Sequence, residues 1–333
     1  MRTRSFGNSD LKTSVLGYGG WPMGRGQYGD FDDEEAIRAA RIAYDLGVNL
    51  FDTAAIYGWG YGEKLMSKAI KDFRKDIILV TKGGREWQTG NADRSTATVS
   101  TSDPVRLTKS IDESLERLNT DYIDLFLMHY PDKTRDFAIP MEVLEKAKKS
   151  GKIRYTGVSN FSPEMMNACR ETSPIITNQM GYHIFDRRPE AEVFPYLKNT
   201  GMGFMSYGSL AHGLLSGTWS DNKDFGDDDW RKNGVNFGLS TWGENNLTKN
   251  ISIVNKLKSI AEGHGKTIVQ LALGWVLSNP NVSVALAGTT KTKNAELMFT
   301  EDWVLSDSVK KEIDDLVLAE GSGVGLPGMD IQT

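Results

Sequence analysis

Short apolar runs alternate with amphipathic segments along most of the chain. The runs are rich in Val, Ile, Leu and Phe, and the segments between them carry apolar residues at helical spacing. This alternation is typical of repeated βαβ units with a parallel sheet. The runs predict eight strands, which are VLGY (15–18), VNLF (48–51), IILV (77–80), DLFLM (124–128), IRYTGV (153–158), PIITNQ (174–179), MGFMS (202–206) and VSVALAG (282–288).

The segments between the runs also carry signals of helix starts. Asp32 opens an acidic stretch whose carboxylates suit the positive end of a helix dipole. Asp103 followed by Pro104 is typical of an N-cap with proline in the first turn. Three sets of apolar residues each share one helical face. The sets are Ala36, Ile37, Ala40 and Tyr44; Leu107, Ile111, Leu115 and Leu118; and Ile253, Leu257 and Ile260.

This alternation predicts an α/β fold, a (β/α)8 TIM barrel, in which residues 1–333 form a single domain. We expect a β-hairpin at the amino end, ahead of the first barrel strand. Two long polar stretches, residues 83–103 after the third strand and 208–247 after the seventh, predict long functional loops. The Gly- and Pro-rich tail from residue 321 leaves two interpretations open, a disordered segment or one folded over its neighbours.

Composition narrows the class of protein. Lys and Arg total 39 against 44 Asp and Glu, a formal net charge of -5, so no nucleic-acid partner is expected. The single cysteine, Cys169, cannot form an internal disulfide, and the four histidines lack the spacing of a zinc site, so no metal is expected. No run has the length of a membrane span and no signal sequence is evident, so we expect no membrane partner and a cytoplasmic location. The sequence does not indicate an oligomeric state.

Four ionisable residues follow the predicted strands, at the end of the barrel where such folds carry their active sites. Asp52 follows VNLF and Tyr57 lies five residues later, while Lys82 ends IILVTK and His129 ends DLFLMH. Reduction of a carbonyl group needs a proton donor, and a phenol is a sluggish acid unless a cation stabilises its anion. We therefore predict Tyr57 as general acid, with Lys82 as its activating ammonium. Asp52 would anchor Lys82, and His129 would orient the carbonyl oxygen or assist the proton.

Each of these residues, taken alone, also has a purely structural interpretation. Asp52 can cap a turn or helix, and Tyr57 can be a packed aromatic in the glycine loop AAIYGWGYG. Lys82 can be a solvated charge, and His129 can be a core histidine beside an apolar run. Only the joint placement of the four residues favours catalysis.

Several longer motifs resemble the aldo-keto reductase superfamily. They are DTAAIYG (52–58) followed by GEKL (62–65), TKG (81–83), LNTDYIDLFLMHYPD (118–132) and GVSNF (157–161). The similarity extends over roughly residues 3 to 318. The chain resembles bacterial members related to inositol-operon reductases and to potassium-channel β subunits. This resemblance implies that Asp52, Tyr57, Lys82 and His129 form the catalytic tetrad of the family.

The resemblance also implies a nicotinamide dinucleotide cofactor, NADPH/NADP+, with NADH as the alternative. Ser159, Asn160 and Gln179 match side chains that hydrogen-bond the nicotinamide carboxamide, and Tyr207 matches an aromatic that stacks on the ring. The backbone of residues 208–213 would cradle the pyrophosphate. The family usually has Ser-Pro-Leu at the start of this loop, where this chain differs. The other cofactor residues implied here are Gly20, Trp21, Gly208, Ser209, Leu210, His212 and Gly213.

Near the carboxyl end, AGTTKTKNAEL (287–297) resembles the adenosine-binding segment of the family. Thr290 and Lys291 would meet the 2′-phosphate, which favours NADPH, and Asn294 would meet the adenine. Arg231 matches a basic residue that helps to close over the dinucleotide, and a solvated loop arginine is the alternative. Gly288 and Thr289 complete the implied set, while Ala287, Leu297 and Met298 depart from the Pro and Glu-Asn residues that the family often has.

Aromatic residues near the tetrad predict the substrate pocket. Trp21, Trp59, Trp87 and Tyr130 could wall an apolar mouth for a small-molecule carbonyl or alcohol substrate, and ordinary loop packing is the alternative.

The glycines at positions 24, 26 and 29 spell G-x-G-x-x-G, the dinucleotide motif of a different fold. The acidic residues that follow at once would repel a pyrophosphate, so we predict a flexible loop beside the site.

Three functions of different classes are consistent with these residues. The first is an active NADPH-dependent reductase, and the second is a cofactor-binding regulatory protein of the same fold with little turnover. The third is a barrel lyase that uses Lys82 as a Schiff base. The complete tetrad argues against the second function. An Asp52 that keeps Lys82 protonated argues against the third.

Overall fold

Eight parallel strands close into a barrel in the computed structural model, which describes residues 1–25, 30–87, 98–219, 225 and 229–329. Every neighbouring pair in the barrel is parallel, and the last strand pairs with the first, so the predicted (β/α)8 barrel is confirmed. In chain order the barrel strands are β3 (Leu16–Gly19), β4 (Leu50–Asp52), β5 (Ile78–Gly83), β8 (Ile123–Met128), β9 (Ile153–Ser159), β10 (Thr177–Gly181), β11 (Gly203–Tyr207) and β12 (Val282–Ala287).

Helices connect successive barrel strands on the outside of the barrel. Asp103 accepts hydrogen bonds from two N–H groups of its helix and is the N-cap, as predicted. Asp32 begins the acidic first turn of α1 as predicted, and it is also an N-cap, since its Oδ1 accepts a hydrogen bond from the Glu35 N–H at 2.7 Å. The helices are α1 (Asp33–Asp45), α2 (Tyr61–Ile70), α3 (Pro104–Leu118), α4 (Ala138–Lys149), α5 (Pro163–Thr172), α6 (Val193–Thr200), α7 (Glu244–Gly263), α8 (Ile268–Ser278), α9 (Thr292–Phe299) and α10 (Asp307–Glu320).

Side chains alternate between two apolar layers along the barrel strands. In β8, Leu125 and Leu127 pack inside the barrel, whereas Phe126 and Met128 pack outward against the helices. Because successive strand residues point to opposite faces, a strand buried on both faces reads as a continuous apolar run. This explains why the eight runs were visible in the sequence.

The predicted amino-terminal hairpin is present and plugs the barrel. It consists of β1 (Thr3–Ser5) and β2 (Lys12–Ser14), which pair antiparallel. Phe6 and Leu11, at its turn, belong to the same buried cluster as the inward-facing strand residues. The hairpin therefore seals the amino end of the barrel and leaves the carboxyl end for the long loops.

The long connections predicted after the third and seventh barrel strands are present, and the first contains a ribbon that we did not predict. Strands β6 (Arg85–Trp87) and β7 (Thr98–Ser100) pair antiparallel within residues 83–103. Residues 88–97 of this connection, and 220–224 and 226–228 of the later one, lie outside the described residues, as do two glycines of the G-x-G-x-x-G motif, at 26 and 29.

The carboxyl-terminal segment is folded over its neighbours as far as residue 325, and residues 326–329 form an exposed turn. The Gly325 N–H donates to the Phe185 carbonyl at 2.9 Å, and the Gly325 carbonyl accepts from the Arg187 N–H at 2.7 Å. Of the two interpretations left open by the sequence, the described part of the tail adopts the folded one. Among the described residues, no helix has both the length and the apolar character needed to cross a bilayer.

Candidate active site

The carboxyl ends of neighbouring strands bring Asp52, Tyr57 and Lys82 into contact. Asp52 ends β4, and Lys82 lies near the end of β5, with which β4 pairs in parallel. Lys82 Nζ donates hydrogen bonds to Asp52 Oδ2 at 2.7 Å and to the Tyr57 hydroxyl oxygen at 3.2 Å. Its third acceptor is the Thr53 carbonyl oxygen, at 2.8 Å. The phenol oxygen is therefore one of three acceptors that hold the ammonium group.

Burial shapes the charges of the Lys82 and Asp52 pair, whose side chains are 0% and 4% exposed. Desolvation lowers the pKa of Lys82 from its ordinary value, and the Asp52 carboxylate opposes that change. Desolvation also raises the pKa of Asp52, which is opposed by Lys82 and by a hydrogen bond from Gln179. Because the two groups touch and each has further hydrogen-bond partners, we assign them as an ammonium and carboxylate ion pair.

A tight turn after β4 presents Tyr57 to Lys82. The Tyr57 N–H donates to the Ala54 carbonyl, and the Tyr57 carbonyl accepts from the Gly62 N–H at the start of α2, both at 3.0 Å. The next residue, Gly58, has φ of 58°, and a Cβ there would lie 1.9 Å from the Gly24 carbonyl oxygen. Any side chain at this position would displace the turn, so the turn that aims Tyr57 requires glycine.

His129 follows β8, and its ring lies edge-on to that of Tyr57, with 5.8 Å between the ring centroids. Burial lowers the pKa of His129 well below its ordinary value of 6.5, and the charges of Lys82 and Arg85 act in the same direction. The ring is therefore neutral at physiological pH. Its Nδ1 is buried without a hydrogen-bond partner among the described residues, which leaves Nε2 as the nitrogen that a ligand can contact.

A cleft of about 590 Å³ opens at the carboxyl face of the barrel above these groups. Asp52, Tyr57 and His129 line the cleft, whereas Lys82 lies beneath them. The four predicted substrate residues also line it. Most of the implied cofactor residues line it as well: Trp21, Ser159, Asn160, Gln179, Tyr207, Gly208, Ser209, Leu210, His212, Gly213, Arg231, Gly288, Thr289, Thr290, Lys291 and Asn294.

Gly20 does not line the cleft. Its N–H donates to the Asp52 carbonyl oxygen at 2.7 Å, and a Cβ at this position would lie 2.7 Å from the same oxygen. Gly20 therefore allows the end of β3 to approach β4 and supports the backbone of Asp52.

The implied nicotinamide residues form a hydrogen-bond network with the tetrad. Gln179 Nε2 donates to Asp52 Oδ1 at 2.8 Å, and Ser159 Oγ donates to the Gln179 carbonyl at 2.8 Å. The Tyr207 hydroxyl donates to Asn160 Oδ1 at 2.9 Å, and burial raises the pKa of Tyr207 well above its ordinary value, so this ring stays neutral. The network fixes amide and hydroxyl groups beside the Tyr57 and Lys82 pair, where a carboxamide could be hydrogen-bonded.

The loop after β11 combines positive-φ glycines with an arginine. Gly208 and Gly213 have φ of 65° and 100°, and a Cβ at Gly213 would lie 3.0 Å from Arg231 Nη1. Arg231 Nη1 donates to the His212 carbonyl at 3.1 Å, and Asp229 holds the guanidinium at 2.6 Å. At the two glycines the backbone N–H groups are not shielded by a side chain, and a cation lies beside them. This arrangement suits a pyrophosphate.

The residues implied for the adenosine end lie where β12 meets α9. Lys291 Nζ pairs with Glu35 Oε2 at 3.0 Å on the exposed surface, and the Lys291 N–H donates to Thr289 Oγ1 at 3.1 Å. A Cβ at Gly288 would lie 2.1 Å from the Gly19 carbonyl oxygen, so the backbone passes close to β3 at this point. An amide set at one end, a glycine loop in the middle and a lysine at the other end together fit a dinucleotide. The described residues contain no cluster that could hold a metal ion.

Aromatic rings wall the tetrad end of the cleft. Trp59 stacks on Trp87 with 4.5 Å between centroids and 22° between planes. On the other side, Trp21 lies 5.2 Å from Trp230 and 6.0 Å from Phe237.

Sequence analysis missed several residues of the cleft, including Arg85 and Phe237. The sequence does contain a signal that places Arg85 beside Trp87. The two residues are two positions apart, so their side chains share one face if the stretch is a strand. The prediction of a loop over residues 83–103 hides this signal, because a loop has no such alternation.

Known proteins of one family resemble this chain over most of its length. The sequence model of the aldo/keto reductase family matches residues 15–317. The chain is 34% identical to aldo-keto reductase YhdN of Bacillus subtilis over 95% of this chain and 94% of that protein. It is 30% identical to a probable voltage-gated potassium channel subunit beta of Oryza sativa subsp. japonica, over 87% of this chain and 88% of that one.

Among solved structures, the glycerol dehydrogenase AKR11B4 from Gluconobacter oxydans superposes with a TM-score of 0.87 at 30% identity. The match covers 99% of each chain. Sequence and structure therefore resemble the same group of proteins over nearly their whole length.

Proposed function

The chain belongs to the aldo/keto reductase family, whose members are NAD(P)H-dependent oxidoreductases that act on carbonyl groups, and from this premise we propose that Tyr57 is its proton donor. The observation that carries the proposal is the 3.2 Å hydrogen bond from Lys82 Nζ to the Tyr57 hydroxyl oxygen, at the floor of the cleft. An ammonium in this position stabilises the phenolate, so Tyr57 gives up its proton more readily than an isolated phenol.

The proposed reaction adds hydride to the carbonyl carbon and a proton to the carbonyl oxygen. When bound, the reduced nicotinamide supplies the hydride. The O–H bond of Tyr57 breaks as the new O–H bond of the alcohol forms, and Lys82 stabilises the phenolate that remains. Asp52 keeps Lys82 charged and aimed at the phenol through the 2.7 Å ion pair. In the reverse direction the phenolate accepts the alcohol proton.

His129 orients the substrate in this proposal. Because the ring is neutral, its Nε2 can carry a hydrogen and donate it to the carbonyl oxygen without transferring a proton. The ring lies beside Tyr57, so both groups can reach one oxygen atom.

We propose NADPH/NADP+ as the cofactor. Ser159, Asn160 and Gln179 would hold the carboxamide, and the 208–213 loop with Arg231 would hold the pyrophosphate. Lys291 would pair with the 2′-phosphate, which requires it to exchange Glu35 for another acidic group. Because Lys291 is about half exposed, this exchange costs little free energy.

The proposal is tested with purified protein, NADPH or NADH, and a panel of aldehydes and ketones, by following the absorbance of the reduced nicotinamide. We expect oxidation of NADPH to depend on the carbonyl compound, with a lower kcat/KM for NADH. Tyr57→Phe should lower kcat by about two to four orders of magnitude, with little change in NADPH affinity.

The matched control is Tyr61→Phe, because Tyr61 lies four residues further on and its hydroxyl contacts Asp33 away from the cleft lining. This variant should keep turnover close to that of the wild type. Near-normal turnover of Tyr57→Phe would refute the role of Tyr57, and absence of NADPH oxidation with every carbonyl would refute the reductase.

A further inference from the structure

Most cations that line the cleft have acidic partners. Arg25 pairs with Asp33 at 2.6 Å, and Arg231 pairs with Asp229 at 2.6 Å. Lys291 pairs with Glu35 at 3.0 Å. The remaining cation is Arg85, which has no carboxylate oxygen within 4.0 Å among the described residues.

The structure holds Arg85 at the tetrad end of the cleft. Its Nε donates to Thr98 Oγ1 across the β6 and β7 ribbon at 2.8 Å, and its guanidinium carbon lies 4.2 Å from the centre of the Tyr130 ring. In the described part of the chain, Nη1 and Nη2 of Arg85 have no hydrogen-bond acceptor. The Tyr130 ring lies 5.3 Å from the ring of His129, which we propose orients the carbonyl, so the charge and His129 contact the same ring. The charge of Arg85 also contributes to the lowered pKa of His129.

The surroundings of Arg85 are aromatic. Trp87 follows on the same face of the ribbon and stacks on Trp59, and both indoles line the cleft. The Arg85 side chain is partly buried and its guanidinium lies over the Tyr130 ring, so the group is only partly hydrated and a carboxylate binds it more strongly than in open solvent. Within the part of the chain that the structure describes, this end of the cleft therefore combines an apolar wall with a positive charge that has no acidic partner.

We propose that Arg85 binds a carboxylate of the substrate, so that the preferred substrates are aldehydes or ketones with a carboxylate separated from the carbonyl by an apolar spacer. A spacer is required because Tyr57 and Arg85 are linked only through two intervening ring contacts among the described residues. The Tyr57 ring lies 5.8 Å from that of His129, the His129 ring lies 5.3 Å from that of Tyr130, and the Tyr130 ring lies 4.2 Å from the Arg85 guanidinium carbon. One guanidinium matches the single charge of a carboxylate, whereas a phosphate dianion would keep one charge without a partner. This inference rests on the proposed reductase function.

The test compares para-carboxybenzaldehyde with its methyl ester, which has the same aldehyde and ring but no charge. Both are reduced with NADPH by the wild type, by Arg85→Gln, by Arg85→Lys and by Arg106→Gln. Arg106 is the matched control, since it lies on α3, pairs with Glu86 of the same ribbon and does not line the cleft. Its loss changes the net charge by the same amount.

We expect the wild type to prefer the carboxylate, and Arg85→Gln to lower kcat/KM for the carboxylate by about tenfold, mainly through KM. The value for the ester should stay within about twofold. Arg85→Lys should restore part of the preference, Arg106→Gln should leave it unchanged, and added salt should weaken it in the wild type.

Equal reduction of both aldehydes by the wild type, or an equal loss on both in Arg85→Gln, would overturn the proposal for Arg85 while leaving the reductase intact. Should neither aldehyde nor any other carbonyl be reduced, the reductase itself would be refuted.

Discussion

Lys82 is the side chain on which the proposed proton transfer depends most. Its ammonium group is fully buried, which is costly for a charge unless every donor is used. The acceptors are Asp52 Oδ2, the Thr53 carbonyl and the Tyr57 hydroxyl. Two of these acceptors position the ammonium, and the third is the phenol that we propose it acidifies.

Replacing Lys82 with methionine removes this charge but keeps the length of the side chain. We expect Lys82→Met to lower kcat by about two orders of magnitude or more, because the phenolate of Tyr57 loses its cation. Without the ammonium the phenol is harder to ionise, so any residual activity should titrate at a higher pH. Rates measured across a pH series, per folded enzyme, check both effects.

Lys64→Met is the matched control, since Lys64 is exposed on α2. Lys82→Met also leaves the Asp52 carboxylate without its cation, which can destabilise the fold. The double variant Lys82→Met with Asp52→Asn removes that buried charge, so a loss of activity that persists in it is chemical and not a folding defect. Activity of the double variant near that of the wild type would be incompatible with the assigned role of Lys82.

At the scale of elements, hydrogen bonds join the carboxyl-terminal segment to α7 and to the loop before α7. Asn250 of α7 is fully buried and joins the two parts. Its Nδ2 donates to the Thr241 carbonyl at 2.9 Å and to the Ser322 carbonyl at 2.8 Å, while its Oδ1 accepts from the Ser322 N–H at 3.1 Å. One side chain therefore connects α7, the loop before it and the tail.

Asn250→Ala should lower the free energy of unfolding by about 2 kcal/mol, because buried backbone groups of Thr241 and Ser322 lose their partners. Urea unfolding measures this change. The comparison is Asn255→Ala, exposed on the same helix, which should change stability by about 0.5 kcal/mol or less. Equal stability of the two variants would show that the tail is not held through Asn250.

At the scale of the whole molecule, the two ends of the barrel differ in the side chains that they hold. The hairpin closes the amino end with apolar side chains, and the carboxyl end holds the polar groups. Some of the ionisable groups, such as His129 and His183, are buried in the folded chain. Burial lowers the pKa of His183 to about 3 and that of His129 well below 6.5.

Because the pKa of both histidines is lowered in the folded chain, we expect the free energy of unfolding to fall as the pH decreases below 6.5. In that range the unfolded chain protonates both imidazoles and the folded chain does not, so protons favour unfolding. Each histidine contributes a slope of up to about 1.4 kcal/mol per pH unit between pH 6.5 and about 5, above the range where most carboxylates titrate. Urea unfolding at a series of pH values measures the slope.

His183→Gln should reduce this slope by the contribution of one histidine. An unaltered slope in His183→Gln would mean that His183 takes up a proton in the folded state.

The sequence by itself determined the barrel and the end of the barrel at which Asp52, Tyr57, Lys82 and His129 lie. Strands buried on both faces appear as apolar runs, and helix starts such as Asp32 and Asp103 carry their own hydrogen-bond acceptors, so both signals are local. Because parallel strands of a barrel end at one face, residues after those strands could be assigned to one site before any distance was known.

Only the tertiary structure decided which side chains meet and which face the cleft. The contact between Lys82 and Tyr57 depends on the turn in which Gly58 packs against Gly24, and such a close approach has no periodic signal in the sequence.

Pairing between strands decides the positions of two further residues. Gly20 supports Asp52 instead of lining the cleft. Arg85 lies in the cleft without an acidic partner among the described residues. Local sequence patterns indicate the secondary structure of the segment in which a residue lies. Contacts between segments, and the charges that burial shifts, exist only once the barrel has closed.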